Sequence, residues 1–241
     1  MLTIFVPALN EEKNIQNTID NLNSIATETN TIIEIIVADD GSTDNTNKIL
    51  LDNKKKLSHL KIIKNNKNLG IGASFKKALI IAKYEKIMIA PGDNDANYDL
   101  LISIFRSVEK SDMITSYYLN KEMRGRLRNL VSTLFHTLYI LTFDIFLMYM
   151  NGPTIYPTKI LRSFKIHSNR FSIVSELTTK CLRSKITYME ISGKMNTGAD
   201  NSSALNIKNL FEVVWVYVKI FIAIYFKSKK KFLDRAKRIY Y

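Results

Sequence analysis

Short apolar runs alternate with amphipathic stretches through the first half of the chain. Leu2 to Val6 is an apolar run closed by Pro7, the pattern of a fully buried strand. Asn10 stands where it can cap a helix, with Glu11 and Glu12 in the first turn, where the helix dipole favours acids. Ile15, Ile19, Leu22 and Ile25 follow at helical spacing. Ile32 to Ala38 reads as a second buried strand, and a helix is expected to run to about Leu57. Leu60 to Ile63 is a third strand, Asn68 to Gly72 a loop opening a helix through Ala82, and Lys86 to Ala90 a fourth strand. Strands alternating with helices predict a mostly parallel sheet flanked by helices, an α/β fold.

In such a sheet a ligand lies beyond the carboxyl ends of the strands. Three acidic loops fall there: Asn10-Glu11-Glu12, then Asp39-Asp40-Gly41-Ser42-Thr43-Asp44, then Asp93-Asn94-Asp95. A dinucleotide fold instead needs a glycine-rich turn after its first strand, and acids repel phosphate unless a cation intervenes. An Asp-x-Asp pair suits a hard divalent cation such as Mg²⁺ or Mn²⁺, bound through oxygen with water and phosphate completing the shell. Asp93 and Asp95 are the candidate metal ligands, with Asn97 able to add a carbonyl oxygen. The alternative for these residues is a solvated turn capping a helix from about Asn97. Asp39 or Asp40 at a strand end can accept hydrogen bonds from a base edge or ribose, or serve merely before a helix cap. Glu11 has the same two readings.

The second half is apolar in a different way. Leu127 to Met150 covers much of a helix with Leu130, Val131, Leu134, Phe135, Leu138, Tyr139, Leu141 and Phe143, yet His136, Thr137, Thr142 and Asp144 interrupt it. A spanning helix needs about 20 consecutive apolar residues. An interfacial or partly buried helix is therefore expected. Leu210 to Phe226 is similar, with Trp215, Tyr217 and Tyr225 beside Glu212 and Lys219. Lys227, Lys229, Lys230, Lys231, Arg235, Lys237 and Arg238 follow.

The 35 Lys and Arg against 22 Asp and Glu give a net charge of +13, which points to an anionic partner. Because the bases cluster beside an apolar aromatic helix, the expected partner is an anionic membrane surface and not nucleic acid. The single cysteine, Cys181, excludes an internal disulfide. His59, His136 and His167 form no ligand spacing. The first residues carry no basic n-region and do not read as a signal peptide.

Taken together, Val6-Pro7-Ala8-Leu9-Asn10-Glu11-Glu12, Ile36 to Asp44, Asn68-Leu69-Gly70 and Asp93-Asn94-Asp95 resemble glycosyltransferase family two in order and spacing. The resemblance implies a GT-A fold, a nucleotide-diphosphate sugar donor, a divalent cation and an inverting transfer. It implies that Pro7, Leu9, Glu11, Asp39, Asp40, Asp93 and Asn94 bind the nucleotide sugar, and that Asp93, Asp95 and Asn97 serve the metal. The second half is similar to the polyprenyl-phosphate sugar transferase branch. There Arg128 and Ser132 match an acceptor-phosphate pair, Gly152 to Tyr156 sits where a Gly-Phe-Arg segment usually lies, and Ser175-Glu176-Leu177 and Gly198 to Leu210 match later segments. That branch usually has an Arg near Tyr117, and an Arg and a Lys near Thr197 and Ser203, which are absent here.

The expected organisation is a catalytic unit over residues 1–203, with a nucleotide-sugar half at 1–116 and an acceptor half at 117–203. An amphipathic helix and basic tail would occupy 204–241. The expected site is the cytoplasmic face of the cell membrane. A lipid-phosphate acceptor is already an anion and needs no base. A glycan hydroxyl would need one, for which Glu176 is the candidate beside Asp95 as a catalytic group. Glu176 reads equally as a helix residue bonding a loop. A silent paralogue that only binds nucleotide sugar is the remaining alternative.

Overall fold

The computed structural model describes residues 1–90, 97–123, 125–194, 196, 207–227 and 229–240, with backbone alone at 128, 207–210, 229 and 230. The first half runs β1 (Leu2–Ala8), α1 (Ile15–Glu28), β2 (Ile33–Asp39), α2 (Thr46–Lys56), β3 (Leu60–Lys64), α3 (Ile71–Ile81) and β4 (Lys86–Ile89). It continues through α4 (Tyr98–Arg106), β5 (Met113–Tyr118), α5 (Arg126–Phe143), β6 (Thr154–Pro157), α6 (Thr158–Arg162), α7 (Ile173–Leu182), β7 (Thr187–Gly193), α8 (Ile207–Ile222) and β8 (Lys237–Arg238). One eight-stranded sheet results, in the order β3-β2-β1-β4-β6-β5-β7-β8. Only β6 is antiparallel, to β4 and β5. The carboxyl ends of the other strands therefore gather at one edge.

The first strands are mostly apolar because helices cover both faces, and a strand's side chains alternate between the two; the buried exceptions Thr3 and Glu34 bond each other at 3.0 Å. On β1, Leu2, Ile4 and Val6 join a core with Ile15, Ile19 and Leu22 of α1 and Ile104 and Phe105 of α4. Phe5 joins the opposite core with Phe75 and Ala78 of α3 and Leu177 of α7. Helix α7 is buried apart from the half-buried Val174, Glu176 and Lys180 included. The Arg162 guanidinium donates to the Leu79 and Ala82 carbonyls at 3.0 and 2.6 Å, supplying partners that the C-terminus of α3 lacks within the helix.

Two expectations need correction. Asn10 does not cap α1, which begins at Ile15 with Asn14 before it. Asn10 takes a positive φ of 57° and its side chain turns to the next loop. Nor is residue stretch 204–241 wholly an appendage. Val216, Ile220 and Ile224 enter the second core, and Lys237 and Arg238 pair with Thr187 and Tyr188 at the sheet edge.

Helices α5 and α8 pack together through Tyr139, Phe143 and Tyr217, with Tyr217 bonded to Thr142 at 2.5 Å. Their outer sides stay exposed and apolar: Leu127, Leu130, Leu134, Leu138 and Leu141 on α5, and Phe211, Val214, Trp215 and Val218 on α8. Among the described residues, no helix is long and apolar enough to cross a membrane. Part of the basic tail is tied down. Arg235 pairs with Asp144, Arg238 with Glu190 at 3.1 Å, and Lys231 donates to the Ser163 carbonyl. Lys227 and Lys237 remain exposed.

Candidate active site

The loops after β1 and β2 interlock at the carboxyl edge of the sheet. The Asn10 N–H donates to Ser42 Oγ at 2.9 Å, and the Asn10 side-chain oxygen accepts the Thr43 N–H at 2.8 Å. The Glu11 N–H donates to Thr46 Oγ1 at 2.8 Å, and Glu12 accepts the Asn45 N–H at 3.0 Å. The Glu11 carboxylate accepts from the Asn14 amide at 2.9 Å and is half-buried. Pro7 is half-buried beside it, and Leu9 is exposed at the rim.

The two aspartates ending β2 do different work. Asp40 Oδ1 accepts from the Asn65 amide at 2.7 Å, the Leu69 N–H at 3.0 Å and the Ser74 hydroxyl at 3.2 Å. Its Oδ2 accepts the Gly70 N–H at 2.7 Å. Asp40 thus organises the loop between β3 and α3. Asp39 is fully buried, and its Oδ1 accepts the Ser42 N–H at 2.9 Å. Its Oδ2 is buried with no hydrogen-bond partner among the described residues. A buried carboxylate oxygen without a donor costs free energy unless a ligand supplies one. Sequence reasoning grouped both aspartates as nucleotide contacts; Asp40 is engaged by the loop between β3 and α3, while one oxygen of Asp39 is buried without a partner among the described residues.

Beside this edge, Gly70 adopts φ +92°, a backbone conformation that side chains rarely take. The Asn169 carbonyl presses against it and accepts the Ala73 N–H at 3.1 Å. The 167–172 loop thereby backs the donor-side loop.

Glu176 holds that backing loop. Its carboxylate accepts the His167 N–H at 3.0 Å and the Ser168 N–H at 2.7 Å, contacts His167 Nδ1 at 2.9 Å and pairs with Lys180. Burial alone would raise its pKa, but the His167 hydrogen bond and the Lys180 charge outweigh that and hold it at about 2. Burial meanwhile pulls Lys180 below the usual lysine value. The expectation of Glu176 as a general base is therefore dropped. A group that acidic, with its oxygens occupied, does not take up protons near neutrality.

The metal expectation falls mainly outside the described residues. Asp93, Asn94 and Asp95 lie there. Asn97 is described, and its side-chain oxygen caps α4 by accepting the Asp99 N–H at 2.9 Å. Among the described residues, no group of three His, Cys, Asp or Glu is placed to hold a metal. On the acceptor side, Ser132 is half-buried on α5, and the Arg128 side chain lies outside the described residues. Most of the segment from Gly198 to Leu210 lies outside them as well.

Sequence reasoning missed Asn65, Ser74 and Glu212. Asn65 and Ser74 are ordinary polar residues whose burial beside Asp40 depends on the fold. Glu212 had a signal, a lone carboxylate on an otherwise apolar helix, which is costly unless paired.

A mostly parallel sheet, with acidic loops and an unpartnered buried carboxylate oxygen at its carboxyl edge, has the form of a nucleotide-sugar transferase domain. Residues 3–171 match the family described as Glycosyl transferase family 2, and the chain belongs to it. A stretch of 154 residues is 26% identical to a dolichyl-phosphate beta-glucosyltransferase of Trichomonas vaginalis, covering 58% of this chain and 48% of that one. A stretch of 153 residues is 24% identical to a dolichyl-phosphate beta-glucosyltransferase of Dictyostelium discoideum, covering 56% of this chain and 47% of that one. The matches span less than half the length of these curated relatives, and they support the likeness to the polyprenyl-phosphate branch. The fold is that of glucosyl-3-phosphoglycerate synthase from Mycobacterium tuberculosis, solved with uridine diphosphate, at 16% identity and a TM-score of 0.67 over 92% of this chain and 80% of that one.

Proposed function

We propose that this family 2 glycosyltransferase moves a sugar, with inversion, from a nucleoside-diphosphate sugar to a polyprenyl-type lipid phosphate at the surface of a membrane. The observation that carries the donor half is the buried Asp39 Oδ2, which is an acceptor awaiting a donor such as a base N–H. Pro7, Leu9 and Glu11, from the loop that interlocks with the Asp39 loop, are the further nucleotide contacts in this reading. Uridine diphosphate in the structural relative fits this reading, as does a second complex of that enzyme holding Mn²⁺ with uridine diphosphate and phosphoglyceric acid.

Asp93 and Asp95 are the proposed metal ligands. A divalent cation there would neutralise the diphosphate as it leaves. Asp39 orients the nucleotide, and Arg128 with Ser132 receives the acceptor phosphate. That acceptor is already an anion, which agrees with a Glu176 unavailable as a base. The curated relatives act on dolichyl phosphate by name. The exposed apolar sides of α5 and α8, with Lys227 and Lys237 exposed, suit attachment to anionic lipid.

The test is transfer of labelled sugar from nucleotide sugars with Mn²⁺ or Mg²⁺ into a membrane lipid extract, with Asp95→Ala as control. Cation-dependent label in the lipid fraction, lost in the variant and on chelation, supports the reading. Transfer only to added glycans overturns the lipid acceptor. No turnover with any common donor overturns the enzyme assignment.

A further inference from the structure

Glu212 joins the apolar outer helix to the loop that backs the donor site. On α8 its neighbours Phe211 and Trp215 face outward, Phe211 being 75% exposed. Its carboxylate turns inward. Oε1 accepts the Ser168 hydroxyl at 2.6 Å, the Arg170 N–H at 3.1 Å and the Asn169 N–H at 3.2 Å, and Oε2 accepts the Ser172 hydroxyl at 2.5 Å. Four donors from one short loop thus converge on one side chain of a distant helix.

The same loop touches the donor-side loop directly. The Asn169 carbonyl accepts the Ala73 N–H at 3.1 Å, and a Cβ on Gly70 would lie 2.4 Å from it. Lys76 Nζ donates to the Asn169 side chain at 2.6 Å. Gly70 in turn gives its N–H to Asp40, the chain neighbour of Asp39. A continuous path of hydrogen bonds and contacts therefore runs from α8 through Glu212, Ser168 to Ser172 and Gly70 to Ala73, ending at Asp40.

We propose that Glu212 is a positioning residue that couples seating of α8 on an anionic bilayer to nucleotide binding at the carboxyl edge of the sheet. The inference rests on the donor and membrane readings above. An α8 fixed at an interface loses freedom, and Glu212 passes that order to the 168–172 loop and on to residues 70–73. The nucleotide then meets a loop whose ordering has already occurred, so it binds more tightly. Coupling is reciprocal: whatever factor vesicles add to nucleotide affinity, the nucleotide adds to vesicle affinity.

The experiment uses the full chain with vesicles of phosphatidylcholine, with and without phosphatidylglycerol. Flotation reports membrane binding, calorimetry with Mn²⁺ reports uridine-diphosphate affinity, and hydrogen exchange reports amides 169–170 and 70–73. Anionic vesicles are expected to tighten uridine-diphosphate binding about fivefold and to slow exchange in both segments. Glu212→Ala should float normally and lose both responses. Glu212→Gln, which keeps one carbonyl oxygen facing three of the four donors, should restore most of them. Should Glu212→Ala fail to fold, Ser172→Ala removes one bond of the latch and should weaken both responses. Wild-type protein that floats without added protection at 70–73 overturns the coupling alone, as does a full response in Glu212→Ala. Protein that does not float overturns the membrane reading and the coupling with it. Protein that floats and binds no nucleotide overturns the donor reading and the coupling with it.

Discussion

Asp39 and Asp40 share a peptide bond, yet their carboxylates meet opposite conditions: Asp40 accepts four hydrogen bonds, while Asp39 keeps one buried oxygen without a partner among the described residues. On the proposed reading, the pair divides loop construction from nucleotide recognition within two residues. Asp40→Ala leaves the Asn65 amide, the Ser74 hydroxyl and two backbone N–H groups short of an acceptor, and should cost about 3 kcal/mol of stability. Asp39→Asn preserves shape and should leave the thermal midpoint nearly unchanged while weakening nucleotide binding about tenfold, the loss expected for one charge-assisted hydrogen bond. Thermal melts and uridine-diphosphate titrations on both variants check the division. The reverse pattern would exchange the two roles.

Glu176 gives the protein a defined acid sensitivity. Its pKa falls from 4.5 to about 2 on folding, so the folded state favours the carboxylate. The stabilisation is fully present above about pH 4.5 and is lost as the pH falls toward 2. Its size is on the order of 3 kcal/mol. Glu176→Gln should destabilise the protein at neutral pH by about 3 kcal/mol, because Lys180 is left buried without its counter-ion. That variant should also flatten the pH dependence of denaturant midpoints between pH 5 and 2. An unchanged slope would show that other carboxylates govern acid unfolding.

Gly70→Ala should be more costly than a surface substitution. The new methyl would meet the Asn169 carbonyl at 2.4 Å, on a backbone at φ +92°. A loss of about 2 kcal/mol or more is expected from strain alone. Because the displaced loop backs the proposed donor site, the Michaelis constant for the nucleotide sugar should rise in the same variant. Stability and donor kinetics measured together test whether the two losses coincide.

The apolar side of α5 and α8 predicts a selective failure. Leu134→Asp and Leu138→Asp change exposed positions, so melting should shift little. Vesicle association should fall at least tenfold, since about 2 kcal/mol of apolar contact is lost and an acid is placed against an anionic surface. Raising salt should weaken the wild-type association as Lys227 and Lys237 are screened. Flotation at two ionic strengths checks both outcomes, and salt-independent binding would remove the electrostatic part.

Strand and helix order in the first half was legible because both sheet faces are covered. Each strand there is a predominantly apolar run, distinct from the polar loops. Glycines and acids at the strand ends marked the ligand edge. Strands β5 to β8 were not assigned, for three physical reasons. Strand β6 is antiparallel and follows Gly152 and Pro153 directly, β7 mixes Glu190 and Ser192 into its run, and β8 is a Lys-Arg pair that becomes a strand only by pairing with β7. The site was half legible. Spacing singled out Asp39 and Asp40 together as candidates, but which oxygens are engaged depends on Asn65, Leu69, Gly70 and Ser74 arriving from later in the chain. Glu176 looked like a base because an acid beside a motif is ambiguous until its surroundings are known. His167 and Lys180 resolve it.

The apolar face of α5 and α8 belongs to neither helix alone. The two helices are separated in sequence by two strands and two further helices, and their shared surface is fastened by Tyr217 against Tyr139, Phe143 and Thr142. An unfolded chain has the same residues but no such face. On the membrane reading, adhesion through this surface would be a property of the finished fold, and partition onto a bilayer would report completed folding, leaving immature chains in solution.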